Sequence, residues 1–322
     1  MNVKRLIPTL ALLVSVVGLS ACSEADQKLE FNRYWNDNAQ VSETVTERAE
    51  YSVAFEPDAN PYVDDYKISY SDGKYVTLLT TNDDGTYTYE TDLSIKVTYT
   101  FGQDSVTKED FVKTKLVFND VSKSLKPITV EKEIYSHSPT NASATKLDDC
   151  YTKFHYKLES TYSQSDDSAS CKITNLKNAE NPAEETKNFS ITNEKYSYLD
   201  NDQILFGLRA VSSTVTSAKI VSYSPFFTAT QEINLSFSSE TGGEFSYTKN
   251  GTAVKENISY RPATVQINAK NPGETQTVWI ATPSSTGSNL NHNVMLRYEA
   301  PIPYSLGKLV YSLNSLEYDN GL

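Results

Sequence analysis

The chain has 322 residues, enough for one large domain or two smaller ones with a sizeable buried core. Its formal charge is −12, and a surface that acidic repels nucleic acid, so nucleic-acid binding is excluded. Tyr is abundant at 22 residues, against 2 Trp and 2 Met, which suits pleated, half-buried sheet surfaces.

The chain opens on Lys4 and Arg5, an apolar run from Leu6 to Leu19, and small residues ahead of Cys22. The run is short for a transmembrane span and has the three parts of a secretory leader. Leu19-Ser20-Ala21-Cys22 resembles the lipobox of bacterial lipoproteins. The resemblance implies cleavage before Cys22, diacylglycerol on its thiol, and a mature protein tethered by lipid on the extracytoplasmic face of a bacterial membrane. In a Gram-negative host that membrane can be the outer one. On this reading 1–21 is a signal peptide, 22–45 a polar, lipid-anchored tether, and 46–322 the folded part. No other stretch is long and apolar enough to span a bilayer.

Period-two alternation dominates the remainder. Leu93, Ile95, Val97, Tyr99 and Phe101 share one face, with Ser94, Lys96, Thr98 and Thr100 opposite. Val112, Thr114, Leu116 and Phe118 alternate with Lys113, Lys115 and Val117, and Phe154, Tyr156, Leu158 and Tyr162 with Lys153, His155, Lys157 and Glu159. Ile233, Leu235 and Phe237, then Val265, Ile267 and Ala269, continue the pattern, as do Val294, Leu296 and Tyr298 and finally Leu309, Tyr311 and Leu313. One apolar and one wet face per strand is the mark of antiparallel sheet. Asp72-Gly73, Asp84-Gly85 and Asn250-Gly251 supply the positive φ of type I′ hairpins. Gly242-Gly243 and Pro272-Gly273 are further expected turns.

Three cysteines become two once Cys22 is lipidated, leaving Cys150 and Cys171 as a candidate disulfide outside the cytoplasm. Strand geometry argues against the bridge. A strand from Thr152 to Tyr162 and a turn near Ser165–Asp167 set Cys171 opposite about Ser160. Asn175 to Lys187 is polar, either a linker that subdivides the β domain near 176–190 or a long loop. One helix is expected near 202–211: Ile204, Leu208 and Val211 recur on one helical face, and Asp200-Asn201-Asp202 precede it as cap and N-terminal acids.

Two segments resemble an uncharacterised family of bacterial envelope proteins known only as a domain of unknown function. Asp202-Gln203-Ile204-Leu205-Phe206-Gly207-Leu208-Arg209 is similar to that family's mid-chain helix. Thr277-Val278-Trp279-Ile280-Ala281, with the last strand from Leu306 to Leu313, is similar to its closing strands. The resemblance implies a mainly β fold, a large, curved antiparallel sheet of the lipoprotein-carrier type, half-barrel or sandwich, and it supplies no activity.

No catalytic constellation emerges. His137, His155 and His292 lack metal-ligand spacing, so no metal and no cofactor are expected. The S-x-x-K matches at Ser71, Ser105, Ser143, Ser246 and Ser305 fall in turns, loops or strands, without the helix start that chemistry requires. The acidic pairs Asp64-Asp65, Asp83-Asp84, Asp148-Asp149 and Asp166-Asp167 read as solvated turn residues, since adjacent acids point apart. Trp35, flanked by Asn36 and Asp37, either stacks on a ligand or pins the N-terminal segment to the core; Trp279 reads as core, with ligand contact as the alternative. The expectation is a non-enzymatic lipoprotein whose sheet binds an apolar ligand, a glycan or an envelope partner. A glycan-acting envelope enzyme and a structural or adhesive surface lipoprotein are the alternatives.

Overall fold

The computed structural model describes residues 28–35, 46–59, 66–140, 143–178, 180, 182–268, 275–282 and 293–319. Cys22, His292, Asp64-Asp65 and Pro272-Gly273 lie outside them. The fold is mainly β, in one sheet of sixteen strands. The first eight are β1 (Thr46–Pro57), β2 (Lys67–Thr81), β3 (Tyr87–Phe101), β4 (Asp104–Phe118), β5 (Pro127–Pro139), β6 (Tyr151–Tyr162), β7 (Ser168–Asn175) and β8 (Ala183–Ser190). Each pairs antiparallel with the next, as short turns between alternating strands require. After β9 (Ser197–Tyr198) comes the helical segment, whose α-helical turn is α1 (Ile204–Gly207). Then follow β10 (Ser217–Ser224), β11 (Ala229–Phe237), β12 (Thr241–Lys249), β13 (Thr252–Asn268), β14 (Gln276–Ala281), β15 (Met295–Ile302) and β16 (Gly307–Asp319).

The last strand returns to the first: β16 pairs antiparallel with β1 along nearly its whole length, joining the two halves into one sheet. A second closure lies within the C-terminal half. Beyond its antiparallel partner β13, β12 makes a short parallel pairing with β16 through Thr248 and Lys249. Strands β12 to β16 thereby form a small closed ring, which removes its edges. The long sheet also curls until its two ends meet through side chains. Phe189 on β8 stacks on Tyr223 of β10, centroids 3.8 Å apart, and the hydroxyls of Tyr162 on β6 and Tyr198 on β9 lie 3.2 Å apart.

Alternation explains which face curls inward. On β3, Tyr87, Tyr89, Leu93, Ile95, Val97 and Tyr99 are all buried, while Ser94 and Asp92 are exposed. The concavity is filled rather than open. Ile204, Leu208 and Val211, the expected helical face, are buried inside it. Asp200 caps the segment: its carboxylate accepts from the Asp202 amide, while Gln203 accepts from the Asp200 amide. Phe206 meets Trp35, Tyr89 and Phe118 at ring separations of 4.9, 5.3 and 4.8 Å.

Several expectations need correction. Asp72-Gly73 is a bulge within β2, where the pairing with β3 shifts between Ser71 and Lys74. Gly is needed there because a Cβ would stand 2.6 Å from the Val53 carbonyl oxygen on β1. Gly242-Gly243 lies inside β12, not at a turn. Asn250-Gly251 is the tight β12–β13 turn, both residues at positive φ. The polar stretch at 176–190 holds β8, paired residue for residue with β7, so it is neither a linker nor a long loop. No disulfide joins Cys150 to Cys171. The β6–β7 register sets Cys171 opposite Ser160, ten positions along the strand from Cys150, or about 30 Å at strand rise. A disulfide tolerates less than about 7 Å between Cα atoms.

Candidate functional site

Among the described residues, three buried polar groupings and a cleft are candidate places for chemistry. The first grouping is buried between the helical segment and β1. Arg209, just past α1, donates from both terminal nitrogens to the Glu47 carboxylate of β1, at 2.6 and 2.8 Å. Both residues are buried, and the guanidinium Nε has no hydrogen-bond partner. Beside the pair stands a wall of tyrosines from β1, β2, β3, β15 and β16: Tyr51, Tyr75, Tyr89, Tyr298 and Tyr311. Tyr311 meets Tyr75 at 5.4 Å and Tyr298 at 4.9 Å, and Tyr51 donates to the Met295 carbonyl. Burial raises the pKa of all five phenols, with Tyr89 at about 12, so none is a base near neutrality.

The second grouping is an Asp–His pair that spacing alone did not reveal. Asp110 on β4 accepts both the His137 amide, at 3.0 Å, and contacts His137 Nδ1 at 2.7 Å. The pairing of β4 with β5 ends at Phe111 and Tyr135, so the next amides of β5 need another acceptor. Asp110 supplies it, and Tyr99 donates to the His137 carbonyl oxygen. The hydroxyls of Ser136 and Ser138 lie 3.4 Å from each other. The pair is explained as a tie where two strands diverge.

The third grouping surrounds the helix cap. Tyr162 donates to the buried Asp200 carboxylate, and Lys132 pairs with Asp202 at 2.5 Å. Burial first, and then the charge of Asp202, push the Asp200 carboxyl up to about 6.

The cleft opens where the helical segment meets the end of the ring. Tyr34, Leu208, Val211, Ser213, Phe237, Arg261, Ile280, Thr282 and Asn293 line a partly open cleft with about 30 Å³ of free space. Its walls are mainly apolar, with few polar groups converging on them, the composition common to small-molecule sites. Asn293 is fixed by donating to the Arg209 carbonyl at 2.6 Å. Arg261 on β13 donates from Nε to Ser238 O at 3.2 Å, from Nη1 to Ser212 O at 3.1 Å, and from Nη2 to Val215 O. Its guanidinium also lies over the Phe237 ring, 4.5 Å from the centroid. Burial draws its pKa down, and among the described residues no carboxylate pairs with it.

The expected aromatic contacts fall elsewhere. Trp35 is 1% exposed, wedged between Tyr87 at 5.6 Å and Phe206 at 4.9 Å, which leaves no ring face for a ligand. It pins residues 28–35 into the concavity, together with the Phe31–Val211 bridge and a hydrogen bond from Ser197 to Leu29 O. Those residues belong to the stretch read as tether. Trp279 is not core. It is half-buried on the wet face of β14, under the Arg297 guanidinium at 5.3 Å. The acidic pairs cap their own turns: Asp84 accepts from Thr86, Asp149 from Thr145 and Asp166 from Ser168. His155 contacts Glu133 at 2.9 Å. Among the described residues no three metal-ligating side chains converge. Sequence reasoning missed Arg261, although a signal exists: it occupies the inward phase of Arg261, Ala263, Val265 and Ile267.

No family model matches the sequence, and no curated protein does. A solved structure with a similar arrangement is a beta-barrel-like protein of a domain of unknown function, DUF1849, from Brucella abortus. The likeness covers 85% of this chain and 98% of that one, at 8% identity and a TM-score of 0.48.

Proposed function

We propose that the chain is a non-enzymatic, extracytoplasmic lipoprotein that binds an apolar ligand in the cleft between the helical segment and the ring. The observation that carries this reading is the cleft's lining, with Leu208, Phe237 and Ile280 as apolar walls and only a few fixed polar groups. A lipid on Cys22 agrees with the position of the cleft. Tyr34 lines it, and Leu29 is already docked onto the body. Leu29 lies seven positions after Cys22, at most about 25 Å along a fully extended chain, so an acylated Cys22 would hold Leu29 within that distance of the bilayer.

Two measurements test it. Cys22→Ser should move the protein from the membrane fraction to the soluble one; retention on membranes would end the lipoprotein reading. Native mass spectrometry of the released protein should show a co-purifying apolar adduct. Ser213→Trp, at an exposed position on the cleft rim, should remove that adduct without lowering the melting temperature. An adduct that survives Ser213→Trp places the ligand somewhere else and refutes the cleft.

A further inference from the structure

Arg261 presents a cation in a buried setting without a counter-ion. The residue is 8% exposed, and no carboxylate among the described residues pairs with it. Buried charges are ordinarily paired, because desolvation of an isolated ion is costly. The other buried arginine follows that rule, with Arg209 held by the Glu47 carboxylate. Arg261 instead has three backbone carbonyls and one aromatic face. A guanidinium carries five N–H donors, so three hydrogen bonds leave two without an acceptor in the described protein. Those carbonyls come from Ser212, Val215 and Ser238, on the two segments flanking β10 and β11, and they fix the guanidinium plane. A planar cation held in a fixed orientation suits charge-assisted recognition of a carboxylate or phosphate. The apolar walls begin beside it: Phe237 is under the guanidinium, with Leu208, Val211 and Ile280 around the same space.

We infer that the cleft takes an anionic amphiphile, with a carboxylate or phosphate on Arg261 and an acyl chain against Leu208, Val211, Phe237 and Ile280. This rests on the reading that the cleft is the ligand site. It narrows that reading from an apolar ligand to one whose charge is the element recognised. The overall charge of −12 opposes anions at a distance, but salt screens that field within about 8 Å, whereas the Arg261 contact is made at hydrogen-bond range. The acyl chain brings the ligand in, and the guanidinium selects its head.

The test is calorimetric titration of the whole mature chain carrying Cys22→Ser, with dodecanoate, dodecan-1-ol and dodecyl phosphate as probes below their aggregation concentrations. The two anions should bind about tenfold or more tighter than the alcohol, the margin a charge-assisted hydrogen bond supplies. Dodecanoate the tighter of the two points to a free fatty acid, and dodecyl phosphate the tighter to a phospholipid head; both support the inference. Arg261→Gln should abolish the margin between the anions and the alcohol. That variant also loses bonds to three carbonyls, so Ser213→Asp is the second. It stands on the exposed rim next to Ser212 and supplies a competing carboxylate without disturbing the core. It should weaken the anions selectively. Equal affinity for all three probes overturns the anion inference and leaves the apolar cleft standing. Binding of none of them overturns both.

Discussion

At the residue scale, the two arginines that face the interior show how one residue type answers burial in two ways. Arg209 has a bidentate carboxylate at 2.6 and 2.8 Å, the geometry in which an ion pair survives removal from water. Removing one partner leaves the other charged and dry, so Glu47→Ala and Arg209→Ala should each cost about 3–5 kcal/mol in urea unfolding. The double substitution Glu47→Leu with Arg209→Met should recover most of that loss, because no lone charge remains. If the double variant is as unstable as either single one, the pair contributes packing rather than charge compensation. Nothing in the spacing of Glu47 and Arg209, 162 residues apart, announces their meeting.

At the scale of elements, alternation made the strands legible and little else. The inward faces of β3, β4, β11 and β16 follow from period two, and the helical face of Ile204, Leu208 and Val211 from period 3.6. Turn chemistry was a poorer guide. A Gly that permits two backbones to approach, such as Gly73 against Val53, has the same sequence signature as one in a hairpin. β8 was invisible because Ala183, Glu184, Glu185 and Thr186 carry no apolar alternation, as befits an edge strand blunted by charge. Arg261, in the inward phase of β13, was the part of the candidate site that a stricter use of alternation would have found.

The helix cap carries a pH dependence of its own. The buried Asp200 carboxyl has a folded pKa of about 6, above its unfolded value near 4. The folded state therefore holds more protons than the unfolded state between those values, and this group's contribution to stability rises as pH falls through that window. Glu50, whose pKa is lowered by Lys74, acts in the opposite sense, so the raw curve mixes the two. The informative quantity is the difference between the wild type and Asp200→Asn, a substitution that preserves a good cap. At pH 7 the variant should be the more stable, by at most about 3 kcal/mol, and the advantage should vanish near pH 4. A difference that does not change with pH would mean that Asp200 is not titrating in that window.

At the scale of the molecule, the sheet is closed in two unequal ways. The ring of β12 to β16 is closed by backbone pairing at both of its joins, whereas the meeting of β8 with β10 rests on side chains. A ring stack at 3.8 Å, with Tyr162 edge-on to Phe189 at 5.9 Å, replaces a ladder of main-chain hydrogen bonds there. Such a seam opens more readily than a paired one, since few backbone groups must lose a partner. Phe189 is partly exposed, so Phe189→Ala should cost about 1–2 kcal/mol from lost aromatic contact and burial. Its signature is local. Amides of β7 and β8 should exchange with deuterium faster in the variant, while those of β13 to β16 keep their protection. Uniform acceleration across all sixteen strands would instead mean that the sheet opens as one cooperative unit and that the seam is as integral to it as the ring.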